Sequence, residues 1–256
     1  MTMDTGIIGL GRLGASLARG LARAAVEGGL CGYNRSAEKA AEVARQAPGL
    51  ALAGSAREVL ERCDPVFVWM NRADASALLE AHREVLAARR PLLVSCTPGV
   101  PMEAFTPRWA ESVPNVALFT GRGVTLLACA PDLAAADRAR LLALLGACGA
   151  VHELPRSELA YYTALSSCGP GLYAHLLERW ADAVSARRGY DRELCRAMVR
   201  DTMAGTLALH AEDGIDAAEV VHRVAHPGGS TEQGLKVIDQ HFAAIAEEML
   251  RAMNKW

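Results

Sequence analysis

Lysine is almost missing from this chain: of 27 basic side chains only Lys39, Lys236 and Lys255 are lysine, and the rest are arginine. Arginine does not release its proton near neutral pH, so few cationic general acids are on offer. No apolar run approaches the ~20 residues of a membrane span. Net charge is only −2 and the two signs are interleaved, so no surface is marked for nucleic acid. The seven cysteines are odd in number, scattered and without a Cys-x-x-Cys pair. They read as small buried apolar residues in a reducing compartment, not as a disulfide or zinc framework. The first strand-like segment begins by Thr5, which leaves no room for a charged n-region and cleavable leader; cytoplasm is the expected compartment. What is abundant is apolar character, 51% of the residues, enough to exclude disorder and to fill one large core or two modest ones.

The first half alternates short apolar runs with alanine-rich helical stretches. Strands are expected at 5–8, 29–33, 50–53, 65–70, 91–96, 116–119, 125–130 and 150–154, with helices at 13–27, 37–46, 56–62, 73–89 and 134–145. This alternation predicts an α/β fold with a Rossmann-like doubly wound sheet, parallel at least in its first part. From Arg156 no strand-like run survives, and apolar residues recur at helical spacing through Leu159, Tyr162, Leu165, Leu172, Leu176 and Trp180. Helices are expected at 192–211 behind Asp191, at 217–225 behind Asp216, and from Thr231 to about Met253. The boundary is placed between 155 and 156, giving a nucleotide-binding domain (1–155) and an all-helical domain (156–256). A helical half apolar on more than one side implies a homodimer built through it, or else packing on its own first domain. Trp69 and Trp180 are assigned to the core.

Gly9-Leu10-Gly11-Arg12-Leu13-Gly14 follows the strand Gly6-Ile7-Ile8 and opens an amphipathic helix. The first glycine permits the tight turn, the second lets backbone approach a pyrophosphate, and the third brings helix against strand. At the end of the second strand, where an NAD site usually carries an acid, the chain has Asn34-Arg35-Ser36. A guanidinium and a hydroxyl suit a 2′-phosphate, so NADP(H) is expected over NAD(H). Far along the chain, His226-Pro227-Gly228-Gly229-Ser230-Thr231 places a glycine turn, two hydroxyls and an imidazole at a helix mouth. Free N–H groups there suit a small carboxylate.

Thr163-Ala164-Leu165-Ser166-Ser167-Cys168-Gly169-Pro170 and His226–Thr231 resemble, at this spacing, the two C-terminal motifs of the pyrroline-5-carboxylate reductase family, and Asn34-Arg35-Ser36 also fits it. The resemblance implies a two-domain enzyme whose helical half dimerises, sometimes assembling further. It would deliver a hydride from a nicotinamide to a cyclic imine bearing a carboxylate. Thr231 would hydrogen-bond the imine nitrogen, and the N–H groups of Gly229, Ser230 and Thr231, beside Gly228, would hold the carboxylate.

Three departures stand out. His226 replaces the family's serine, and an imidazole there is able to meet the carboxylate or supply a proton to the imine; a helix-end histidine bonded to a carbonyl is the alternative. Val113-Pro114-Asn115-Val116-Ala117 stands in place of the family's Met-Pro-Asn-Thr-Pro-Ala, which implies a reshaped nicotinamide end. Met70-Asn71-Arg72 replaces Val-Lys-Pro beside the cofactor. The resemblance implies pyrroline-5-carboxylate as substrate and proline as product; these changes would also suit a substituted pyrroline, a six-membered cyclic imine or an imine on a specialised biosynthetic route. Other readings carry less. A β-hydroxyacid dehydrogenase typically uses an interdomain lysine, and no lysine lies between 150 and 200. His222 and His226 share a helical spacing for a metal, but Pro227 follows and no third ligand is evident, so no metal site is assigned. A degenerate NADP(H)-binding regulatory or assembly protein of the same fold is the remaining alternative, against which the retained Thr231 and Gly228-Gly229 turn speak.

Overall fold

The computed structural model describes residues 3–254. They form two compact units, the first running to Gly169 and the second beginning at Pro170. The first is built on eight strands: β1 (Asp4–Ile8), β2 (Leu30–Tyr33), β3 (Leu50–Leu52), β4 (Cys63–Val68), β5 (Leu93–Ser95), β6 (Trp109–Pro114), β7 (Gly123–Cys129) and β8 (Gly149–Glu153). Their order across the sheet is β3-β2-β1-β4-β5-β6-β7-β8. The strands from β3 to β6 run parallel, β7 is antiparallel to β6, and β8 is parallel to β7. Strand order reverses between β1 and β4, so a crevice opens beyond the carboxyl ends of those two strands.

Side chains alternate across a strand, and here both directions are apolar. Ile7 and Phe67 enter one core with Leu17 and Leu21 of α1 (Arg12–Ala24) and Leu141 of α6 (Ala135–Gly146). Ile8 and Val68 enter the other with Leu60 of α3 (Ala56–Arg62), Leu79 of α4 (Arg72–Ala81) and Leu86 of α5 (Arg83–Arg89). The remaining helix of the wound sheet, α2 (Ala37–Gln46), starts at Ser36, whose hydroxyl accepts the Lys39 N–H at 3.4 Å. A sheet covered on both faces is the doubly wound arrangement that the alternation predicts.

Two element assignments are corrected. The strand beside β5 is Trp109–Pro114, not 116–119, which forms a 3₁₀ turn over Val116–Thr120. Asn115 caps that turn by accepting the Ala117 N–H at 3.0 Å, and Gly121 ends it at φ 74°. The helix expected over 73–89 breaks at His82, whose ring Nδ1 lies 2.8 Å from the Leu78 carbonyl oxygen.

The chain turns helical in composition at Arg156, yet residues as far as Gly169 cluster with the sheet. A 3₁₀ turn (Arg156–Glu158) leads into α7 (Leu159–Tyr162), and Leu159 is buried with Val113, Leu126 and Ala128 of β6 and β7. The second unit follows in α8 (Gly169–Arg188), α9 (Arg192–Asp213), α10 (Ala217–Val224) and α11 (Ser230–Ala252). Asp191 and Asp216 cap α9 and α10 as expected, accepting the Leu194 and Glu219 N–H groups at 2.8 Å each. Trp69 is 4% exposed and lies in the core, but Trp180 is 61% exposed. Its burial was inferred from helical spacing, and spacing does not say what covers the apolar face. Trp180 lines a groove of about 620 Å³ with Leu176, Met198, Met203, Ile238 and Phe242 from α8, α9 and α11.

Candidate active site

At the carboxyl end of β1 the chain turns through Gly9, with φ 100°, into α1. A Cβ on Gly9 would lie 2.3 Å from the Trp69 carbonyl oxygen, and one on Gly14 would lie 1.9 Å from that of Gly9. A Cβ on Gly11 would meet nothing within 4 Å. Two glycines are therefore demanded by the protein itself, whereas the middle one faces open space. Gly11 is also the N-cap of α1 and provides no side-chain cap, so the first-turn N–H groups at Arg12 and Leu13 are left for a ligand. This is what a pyrophosphate needs, and the residues present fit a dinucleotide.

The flanking strands complete the crevice. Asn34 is tied into the turn: its Oδ1 accepts the Leu10 N–H and its Nδ2 donates to the Ser36 carbonyl, both at 3.1 Å. It therefore shapes the Gly9–Gly14 loop, while exposed Arg35 and half-buried Ser36 stand beside the α2 N-terminus. After β4, the Met70 carbonyl accepts the Thr97 hydroxyl at 2.8 Å. Asn71 caps α4, accepting the Asp74 N–H at 2.9 Å. The guanidinium of Arg72 lies against Gly99, where an added Cβ would meet its Cζ at 3.3 Å. The loops after β4 and β5 are thus fastened to each other. Cys96 in the second loop is a neutral thiol, because burial pushes its pKa up to about 11.

Three more residues shape this unit, of which the sequence marks only Asn115, as part of the departure at 113–117, and not Glu111 or Ser16. Glu111 is a buried carboxylate on β6 that accepts the Gly99 N–H at 3.1 Å and pairs with Arg156 at 2.7 Å. Asn115 holds the 3₁₀ turn, also accepting the Val124 N–H at 3.2 Å. Ser16 of α1 donates to the Val116 carbonyl at 3.1 Å and accepts the Phe119 N–H at 3.2 Å. The departure at 113–117 is therefore a packed turn against α1. A carboxylate inside Trp-Ala-Glu-Ser-Val was the available signal for Glu111, since a buried charge needs a partner.

In the second unit, Gly228 takes φ 76° and Gly229 precedes α11 as its N-cap, without a side-chain cap. The Gly229 N–H closes a turn onto the His226 carbonyl at 2.9 Å, and the Gly228 N–H donates to the Glu232 carboxylate at 2.9 Å. Two of the loop's donors are thus already used, which narrows the expected carboxylate contact to the Ser230 and Thr231 N–H groups. The side chains of His226, Ser230 and Thr231 are exposed within their unit. Glu232, which also pairs with Lys236 at 3.3 Å, was not singled out from sequence. The motif at 163–169 is internal scaffolding: the Thr163 hydroxyl donates to the Ala160 carbonyl at 2.7 Å, and that of Ser166 to Tyr162 at 3.1 Å.

Known proteins bear on both halves. Residues 156–255 match the family described as pyrroline-5-carboxylate reductase dimerisation, and residues 4–99 match that described as NADP oxidoreductase, coenzyme F420-dependent. The pyrroline-5-carboxylate reductase of Aquifex aeolicus is 23% identical over 94% of this chain and 90% of its own. That of Treponema pallidum is 25% identical over 93% of each. Among solved structures, the pyrroline-5-carboxylate reductase of Coxiella burnetii superposes with a TM-score of 0.87 at 19% identity, covering 99% of this chain and 96% of that one. The NADP-bound pyrroline carboxylate reductase of Plasmodium falciparum gives 0.80 at 23%, over 98% and 95%. At these identities the structures speak for the fold; the two matched halves and the relatives spanning nearly the whole length carry the kinship. The chain is thus similar to pyrroline-5-carboxylate reductases over nearly its whole length, and its helical half matches their dimerisation family.

Proposed function

We propose that this protein is an NADPH-dependent oxidoreductase acting on a carbon–nitrogen double bond, reducing pyrroline-5-carboxylate to proline. The observation that carries the reading is the three-glycine turn, closed to side chains at Gly9 and Gly14 and open at Gly11, in a chain whose other half matches the reductases' dimerisation family. When bound, NADPH supplies the hydride; the rest is binding and placement.

Backbone N–H groups at the mouth of α1 hold the pyrophosphate, and Arg35 with Ser36 holds the 2′-phosphate, which favours NADP(H) over NAD(H). The substrate carboxylate lies on the Ser230 and Thr231 N–H groups at the positive end of α11. The Thr231 hydroxyl bonds the ring nitrogen, which must carry a proton to accept a hydride at the adjacent carbon. His226, exposed at the entrance of the same turn, supplies that proton or steadies the carboxylate. Addition of one hydride and one proton gives the saturated ring and the oxidised cofactor. The helical half pairs into a homodimer through its apolar faces. Seven free thiols support a reducing compartment, the cytoplasm.

NADPH oxidation followed with pyrroline-5-carboxylate and with piperideine-carboxylates tests this reading. Turnover of the five-membered ring, lost in Thr231→Ala while NADPH affinity holds, supports it. Preference for the six-membered ring reassigns the substrate. No turnover of any cyclic imine by a protein that binds NADPH identifies a binding protein instead.

A further inference from the structure

The Glu111 side chain is only 2% exposed, yet the chemistry proposed above makes no use of it. A carboxylate so enclosed is costly unless it is paired and hydrogen-bonded, and its partners show what the pairing achieves. One is the N–H of Gly99, in the loop after β5. The other is Arg156, which also reaches Glu103 at 3.2 Å and stacks its guanidinium 4.8 Å over the Trp109 ring. The loop held by Glu111 is itself bonded to the β4 loop through Thr97 and Met70, and shielded by Arg72 at Gly99. A continuous chain of polar contacts therefore runs from Arg156, the first residue matched by the dimerisation family, through Glu111 to both loops at the carboxyl ends of β4 and β5.

We infer that Glu111 and Arg156 are a positioning pair that fixes the β4 and β5 loops against the bound dinucleotide, and so set cofactor affinity without touching the cofactor. This rests on the dinucleotide reading above. Gly99 has φ 80° and no side chain of its own, so its loop depends on outside contacts for its shape. The Glu111 carboxylate is one such contact, and it is held in place by Arg156.

Titrating full-length protein with NADPH, read by nucleotide fluorescence, tests the inference. Glu111→Gln keeps an acceptor for the Gly99 N–H but loses the ion pair; Glu111→Ala loses both. We expect Kd for NADPH to rise about 5–30-fold in Glu111→Gln, somewhat less than the loss of one direct charge-assisted hydrogen bond because the pair acts through the loop, and further in Glu111→Ala. KM for NADPH should rise with it while KM for the imine stays close to wild type. If Glu111→Ala does not fold, Glu111→Gln alone decides. A lower melting temperature with unchanged NADPH affinity would make the pair purely structural and overturn the inference. Wild-type protein that fails to bind NADPH would overturn the dinucleotide reading itself.

Discussion

Gly14 meets Gly9 so closely that it has no room for a side chain: a Cβ on Gly14 would stand 1.9 Å from the Gly9 carbonyl oxygen, while Gly9 itself is closed by the Trp69 carbonyl oxygen, 2.3 Å from any Cβ there. Gly11 between them has no such neighbour. Alanine at the two positions should therefore fail in different ways. Gly14→Ala forces α1 away from β1 and lowers stability by about 1–3 kcal/mol, the usual cost of overpacking. Gly11→Ala melts close to wild type but binds NADPH ~10–100-fold more weakly, because its methyl stands where the pyrophosphate must approach the backbone. Thermal denaturation and NADPH titration of both variants check the contrast.

Arg35 lies exposed beyond β2, and among the described residues no carboxylate forms a salt bridge with it. Its guanidinium is free for a 2′-phosphate. Arg35→Ala should raise KM for NADPH by ~10–100-fold, the worth of a charged hydrogen bond, and leave KM for NADH nearly unchanged. Equal effects on the two cofactors would assign Arg35 to the shared part of the dinucleotide.

Much of the fold is legible in the sequence because its signals are local. Ser36, Asp191 and Asp216 cap the helices they precede, and Ile7-Ile8 shows two apolar faces in two letters. What is hidden depends on distant partners. Trp109–Pro114 does not read as a strand because Glu111 and Ser112 interrupt its apolar character. They are buried only because Arg156, Gly99 and the Ser95 carbonyl meet them. Val116–Phe119 has the letters of a strand, but Asn115 and Gly121 wind it into a turn. The glycine turn of the site was readable for the same local reasons. Glu232 was not, since its bond to the Gly228 N–H arises only once α11 has formed.

The groove lined by Trp180 and Phe242 is too apolar to face water without cost. Trp180→Arg should convert the dimer to monomer, as loss of a buried aromatic anchor removes ~2 kcal/mol or more from an interface. Sedimentation equilibrium reads the outcome. A variant that remains dimeric would place the subunit contact elsewhere.

Arg108 bridges Asp64 at 2.8 Å and Asp137 at 2.7 Å, joining the start of β4 to the start of α6. Hydrogen bonding from Arg108 holds the Asp137 carboxyl below its ordinary pKa. A depressed carboxyl stabilises the fold fully above the unfolded value, ~3.9, and that contribution is lost as pH falls through the lower, folded value. Asp137→Asn should therefore have a lower urea midpoint than wild type at pH 7. The gap should close on acidification below the ordinary aspartate range. A gap that is constant with pH would trace the loss to packing rather than charge.

The most direct measurement follows the hydride itself. NADPH deuterated at C4 of the nicotinamide, in two samples labelled on opposite faces, is incubated with the protein and pyrroline-5-carboxylate, and the product is weighed by mass spectrometry. The account predicts proline carrying one deuterium on the ring carbon beside nitrogen, from one of the two samples. Unlabelled proline from both, or no proline at all, would contradict it.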